Sequence, residues 1–195
     1  MDSPTLTPLG HDIFLIHDLL DPPTCAQIIQ VADASRYESA QILRQTVDRE
    51  TRHTDIIPLN RQDPLAHSTN QLILGRVAIA QTLLRQEYGI RFPYAEPCSI
   101  LRYSPGQFYK RHVDNILLAS RFQEVEQGIP TRDVSIVGYL NEGFEGGETY
   151  FDRQEITVTP RAGAVLVFPA WFTHPHQSLP VRSGVKYAFT SWLYH

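Results

Sequence analysis

Cysteine is scarce in this chain of 195 residues: Cys25 and Cys98 are all it has. They stand far apart and in no C-x-x-C pair, which argues against a disulfide framework or a thiolate zinc site and points to a reduced, cytoplasmic setting. Long apolar runs are missing too. The longest, Ala162 to Phe172, is too short to cross a bilayer and is broken by Pro169. The opening stretch, Met1 to Asp12, has no basic segment leading into an apolar one and does not read as a secretory signal. Positive charge is not in excess either. Lysine and arginine number 17 against 21 acidic residues, a formal net charge of −4, which disfavours nucleic acid or an anionic membrane as a partner. Neither an internal repeat nor a low-complexity segment is visible, and nothing in the pattern speaks to oligomeric state.

The composition, 42% hydrophobic and 19% charged, is that of a globular protein, and the length suits one domain that buries its own core. We expect residues 1–195 to form that domain, with helical support over 1–95 and a β-rich core over 96–195. Asp12 to Ile16 reads as a short strand. Asp21-Pro22-Pro23-Thr24 supplies cap and first-turn chemistry for a helix whose apolar face is Cys25, Ile28, Ile29 and Ala32. A second helix is expected from Pro64 to Tyr88, striped by Ile73, Val77, Ala80 and Leu84 and closed by Gly89. Between the helices, Glu38 to Val47 alternates loosely and Asp48 to Asp55 reads as a loop or hairpin tip.

Beyond Gly89 the period shifts toward two. Strands are expected at Cys98–Tyr103, Phe108–His112, Val134–Leu140, Glu148–Phe151, Ile156–Thr159, Ala164–Phe168 and Val185–Tyr194. Seven short strands predict a mainly β fold, a sandwich or jelly roll, with the two helices flanking one face. The long connection Asn115 to Arg132, which carries Arg121, Glu124, Glu126 and Arg132, has the length of a lid or of a disordered segment.

His112 and Asp114 are separated by one valine, and side chains at i and i+2 of a strand reach the same side. Two imidazoles and a carboxylate on one side of a metal leave the other side open, the arrangement non-haem iron(II) oxygenases use. Alone the pattern is weak, since His53-Thr54-Asp55 repeats it; that copy lies in the polar stretch with no matching lysine downstream and reads as a loop. The second imidazole has two candidates, His174 and His176, of which the spacing to Lys186 favours His176. Lys186 sits in an alternating run whose same side carries Ala188, Thr190 and Trp192, where a cation is costly unless an anion pairs with it.

Taken together, Tyr103-x-x-Gly106-x-x-Tyr109-x-x-His112-x-Asp114, then Glu145-Gly146-Gly147-Glu148-Thr149, then His176, then Gly184-x-Lys186 through Trp192, resemble the prolyl 4-hydroxylase-like 2-oxoglutarate- and iron(II)-dependent dioxygenases. Leu19 to Ile29 is similar to the leader helix of that family, so the likeness covers nearly the whole chain. It implies a double-stranded β-helix of the cupin-like class, with His112, Asp114 and His176 as metal and catalytic ligands. It implies that Tyr103 and Lys186 receive the distal carboxylate of 2-oxoglutarate, that Tyr109 and Trp192 stand beside the substrate, and that Glu145 to Thr149 has no chemical role. The cofactor set it implies is Fe(II), 2-oxoglutarate and O2, with ascorbate in support. Val165, Val167 and Phe189 are expected to wall the site against water. The substrate is expected to be a peptidyl residue such as proline; a free amino acid or small metabolite is the alternative within the same chemistry. A non-catalytic metal-binding jelly-roll module, or a cupin-like enzyme with another co-substrate, would leave Lys186 unexplained.

Overall fold

The computed structural model describes residues 4–35, 38–39, 51–115 and 121–195. The chain opens with a hairpin, β1 (Thr5–Gly10) and β2 (Ile13–His17), followed by α1 (Pro22–Ala34). Short strands β3 (Glu38–Ser39), β4 (Arg52–His53) and β5 (Asp55–Pro58) precede the long helix α2 (Pro64–Tyr88). Next come β6 (Tyr94–Ala95), β7 (Ser99–Tyr103), β8 (Phe108–His112), the short helix α3 (Arg121–Glu126) and β9 (Val134–Tyr139). The rest is β10 (Glu145–Gly146), β11 (Thr149–Phe151), β12 (Ile156–Val158), β13 (Val165–Pro169), β14 (His176–Ser178), β15 (Val181–Ser183) and β16 (Lys186–Tyr194).

Both long helices begin as their sequences dictate. The Asp21 carboxylate accepts from Thr24 N at 2.7 Å, and Asp63 accepts from Leu65 N at 2.9 Å, each just before a proline in the first turn. Gly89 ends α2 in the left-handed conformation, its N–H donating to Arg85 O. The buried stripe of α1, Cys25, Ile28 and Ala32, and that of α2, Ile73, Val77, Ala80 and Leu84, join one cluster with Ile57, Ile100, Ile136, Val165, Val167 and Phe189. The helices therefore cover one face of a sheet.

That sheet runs β1-β2-β13-β9-β16-β7-β5-β3, with β6 beside β16, and its pairings are antiparallel. A second antiparallel sheet, β12-β11-β14-β8-β4, faces the side away from the helices. Between the sheets at one end lies a cluster of Ile13, Leu15, Tyr139, Phe151, Leu166 and Phe168. This is the mainly β, double-stranded β-helix architecture expected of the sequence, and each of the seven expected strands forms to within a residue or two. The N-terminal half holds more strand than the composition suggested. β4 and β5 replace the loop expected through Asp55, with Thr54 buried between them, while Ala40 to Glu50 lies outside the described residues.

One close approach is testable. Gly138 pairs with Phe189 across β9 and β16, and a Cβ on Gly138 would fall 1.9 Å from the Phe189 ring. Gly138→Ala should destabilise the fold by about 1–3 kcal/mol, read from chemical denaturation. An unchanged midpoint would show that the ring yields without loss.

Candidate metal and co-substrate site

The two sheets enclose a cavity of about 840 Å³, a volume in the range of small-molecule sites. All seven residues singled out from the sequence line it: Tyr103, Tyr109, His112, Asp114, His176, Lys186 and Trp192. His112, at the end of β8, and His176, at the start of β14, are direct cross-strand partners. Along this pair, three steps on β8 from Tyr109 to His112 oppose two on β14 from Ser178 to His176. The extra residue on β8 is a bulge, and it turns Tyr109 and His112 toward the same space although they are three positions apart. Their rings stack with centroids 3.5 Å apart.

Asp114 lies just past the end of β8, in a bend rather than in the strand. The chain around it is held from three directions. Arg132 Nη1 donates to its backbone carbonyl at 2.9 Å, Asn115 N donates to Ala170 O at 3.0 Å, and the Asn115 amide and the Arg132 backbone exchange two hydrogen bonds. Arg132 is itself fixed by a forked pair with Glu96, at 2.6 and 2.8 Å, and its guanidinium stacks 3.6 Å over Trp192. The connection expected as a lid is thus clasped at its base, and it contributes α3; positions 116–120 lie outside the described residues.

One donor atom from each of His112, Asp114 and His176 lies within 4.8 Å of the others. His112 Nε2 is 3.3 Å and His176 Nε2 3.7 Å from the two carboxylate oxygens. The remaining ring nitrogens face backbone carbonyls: His112 Nδ1 is 2.7 Å from Lys110 O, and His176 Nδ1 is 3.2 Å from His174 O. A carbonyl only accepts, so each Nδ1 carries a hydrogen and each Nε2 is the nitrogen turned to the centre. Burial pushes His176 down to about 4, with His112 adding to the effect, which leaves the ring neutral at pH 7. Burial works to raise the Asp114 carboxyl, yet the positive charge of the facing imidazoles when protonated, His176 first, with polar contacts from the His112 and Ser135 side chains, outweighs this and holds it below the ordinary carboxylate range. Two imidazole nitrogens and a carboxylate fit a divalent ion such as iron(II).

Lys186 opens β16 opposite Tyr103. Its side chain is only 2% exposed, and its ammonium donates to Gly147 O at 2.6 Å and Ser178 Oγ at 3.1 Å. No carboxylate lies within ion-pair range of it among the described residues. Burial pushes the amine down to about 7, against the pull of Glu148. Tyr103 beneath it is buried and its phenol raised by burial, with Arg52, Thr54 and Ser178 opposing. A cavity that keeps a cation dehydrated and unmatched is shaped for an incoming anion.

Two expectations need correcting. Gly147 is part of the site: its left-handed turn (φ +67) aims the carbonyl at Lys186, so the Glu145 to Thr149 segment is more than a turn and strand. Val165, Val167 and Phe189 point into the helix-covered core; the apolar wall of the cavity is instead Leu101, Val137 and Ala188. His174 turns away, its ring held by His11 O at 2.7 Å and Thr173 Oγ1 at 2.8 Å, and only its backbone serves His176. Arg52 on β4, which no sequence motif marks, lies 4.6 Å over the Tyr109 ring and lines the cavity. By contrast Asp55, from the second His-x-Asp pattern, pairs with Arg102 at 2.7 Å and belongs to no metal-ligand cluster among the described residues.

Comparison with known proteins agrees with this geometry. Residues 98–194 match the model of the 2OG-Fe(II) oxygenase superfamily. A provisionally named prolyl 4-hydroxylase of Acanthamoeba polyphaga mimivirus is 28% identical over 189 residues, covering 92% of this chain and 72% of that one. Among solved structures, a Trichoplax adhaerens prolyl hydroxylase bound to a hypoxia-inducible-factor peptide superposes with a TM-score of 0.73 at 19% identity, over 95% of this chain and 84% of that one. The viral collagen prolyl hydroxylase of Paramecium bursaria Chlorella virus-1 gives 0.68 at 19%, over 94% and 96%. By the matched segment, which holds the whole donor set and Lys186, residues 98–194 are a 2OG-Fe(II) oxygenase domain.

Proposed function

We propose that His112, Asp114 and His176 hold the iron(II) of this oxygenase, that Lys186 and Tyr103 receive the distal carboxylate of 2-oxoglutarate, and that the hydroxylated C–H bond belongs to a peptidyl residue, proline first. The observation that carries this reading is the sharing of one cavity by a two-imidazole, one-carboxylate donor set and a buried, unmatched ammonium. Bound iron(II) would supply the activation of dioxygen, the oxidant, whose two oxygen atoms end in succinate and in the hydroxylated product while 2-oxoglutarate loses carbon dioxide.

The protein's own part is positional. Lys110 O and His174 O fix the tautomers of the two histidines, and Arg132 and Asn115 hold the Asp114 backbone. Phe151 and Phe168 pack on the His176 ring at 5.5 and 4.6 Å and limit its rotation. Leu101, Val137 and Ala188 keep bulk water from the space between donor set and ammonium. Tyr109 and Trp192, each braced by an arginine, stand at the substrate side.

The proline preference is supported by the names of the relatives, and a peptide is supported by the complex of the Trichoplax protein. Residues 1–195 are read as one domain, the first 95 residues supporting the β-helix core with strands as well as helices. Among the described residues no helix is long and apolar enough to cross a membrane. A cytoplasmic setting is proposed on the two buried, unpaired thiols. The test is incubation with iron(II), 2-oxoglutarate and ascorbate against proline peptides and free amino acids, with mass spectrometry for one added oxygen atom. Peptide hydroxylation is expected; oxidation of free amino acids alone would move the substrate class.

A further inference from the structure

Three arginines line the cavity, and two of them are neutralised within the protein. Arg111 pairs with Asp152 at 2.7 Å and Arg132 with Glu96 at 2.6 Å. Arg52 has no carboxylate within ion-pair range among the described residues, and its Nε is buried without a hydrogen-bond partner. Buried guanidinium nitrogens are nearly always satisfied, so an orphan on a cavity wall marks where an acceptor is missing.

Its position is set by pairing. Arg52 is the cross-strand partner of Tyr109, and its guanidinium lies 4.6 Å over that ring. The stacked His112 imidazole, at 3.5 Å, fills one face of the phenol, so Arg52 takes the other. Imidazole, phenol and guanidinium form three layers running outward from the donor set. The stack leaves the terminal nitrogens of the guanidinium without an acceptor among the described residues of the cavity wall, and a carboxylate presented to them meets both together. The cavity thus holds two unmatched cations, Lys186 and Arg52, and 2-oxoglutarate needs only one of them for its distal end.

Resting on the hydroxylase reading above, we propose that Arg52 is an anchoring site for a carboxylate of the primary substrate. The oxidised carbon then lies about one residue's length from an acidic group, either the α-carboxylate of an amino acid or chain end, or an acidic side chain flanking the target.

The test compares twins that differ only in that charge: N-acetylproline against N-acetylprolinamide, and acetyl-Pro-Glu-amide against acetyl-Pro-Gln-amide. Calorimetry on the full chain, alone and loaded with manganese(II) and 2-oxoglutarate, measures their binding. At least one carboxylate probe should bind about tenfold or more tightly than its amide twin, the size of one charge-assisted contact. Which pair shows the difference identifies the source of the carboxylate. Arg52→Gln should erase the preference and leave 2-oxoglutarate affinity unchanged, and Arg52→Lys should restore part of it. Equal binding of twins in the unmodified chain, no binding of any probe, or a preference surviving Arg52→Gln would overturn the proposal. So would a loss confined to 2-oxoglutarate, which would make Arg52 a co-substrate residue. Failure of manganese(II) and 2-oxoglutarate to bind at all would count against the donor-set assignment instead, and the twin comparison on the unloaded chain still decides the role of Arg52.

Discussion

Asp114→Ala should reduce substrate-dependent succinate formation to below about a thousandth of the unmodified rate, a barrier change of about 4 kcal/mol. Asp114 is the one anionic donor in the set, and no lysine or arginine among the described residues forms an ion pair with it. Its loss removes both a ligand and the charge that balances a divalent cation, which two imidazoles cannot replace. His112→Ala should have an effect of the same order. The fold should survive both changes, because neither residue belongs to an apolar cluster and alanine relieves the burial of a carboxylate or ring. Circular dichroism and the denaturation midpoint provide the control. A folded Asp114→Ala variant that still makes succinate at the normal rate would remove this site from the reaction.

Lys186→Met should move two quantities in opposite directions. The ammonium is buried with a carbonyl and a hydroxyl as its hydrogen-bond partners and no carboxylate within ion-pair range among the described residues, so the native state carries a desolvation cost that the pull of Glu148 does not cancel. An unbranched apolar side chain of similar length removes that cost, and the melting temperature should rise or hold. The 2-oxoglutarate concentration needed for half-maximal rate should rise by roughly tenfold to a hundredfold, since a charge-assisted contact is lost. The pH dependence has a definite sign. Because burial holds the free amine down to about 7, it is largely neutral above that pH and must take up a proton to meet a carboxylate. The affinity for 2-oxoglutarate should therefore fall as pH rises above about 7, and this slope should vanish in Lys186→Met. An unchanged requirement for 2-oxoglutarate would show that its distal carboxylate is anchored elsewhere.

The parts of this fold that could be read in advance are those whose pattern is local. Capping aspartates and helical stripes marked α1 and α2, and alternation marked β16 with Lys186, Ala188, Thr190 and Trp192 on the cavity side. Sidedness failed where both faces are apolar. Val165, Leu166, Val167 and Phe168 are each at most 1% exposed, so period two could not say which pair faces the site, and the odd positions proved to face the helices. Short strands were missed for another reason. β4 is two residues long and exists because β8 pairs with it, a long-range fact that no window around Arg52 contains. The role of the Gly147 carbonyl was hidden likewise, because it depends on a turn conformation and on a lysine 39 residues away.

The claim on which the account rests is that His112, Asp114 and His176 bind one metal ion. Crystals soaked with iron(II) in the absence of oxygen, with diffraction recorded at the iron absorption edge, test it directly. A single anomalous peak should appear between His112 Nε2, His176 Nε2 and the Asp114 carboxylate. A peak at another group of side chains, or none at these three under saturating iron(II), would contradict it.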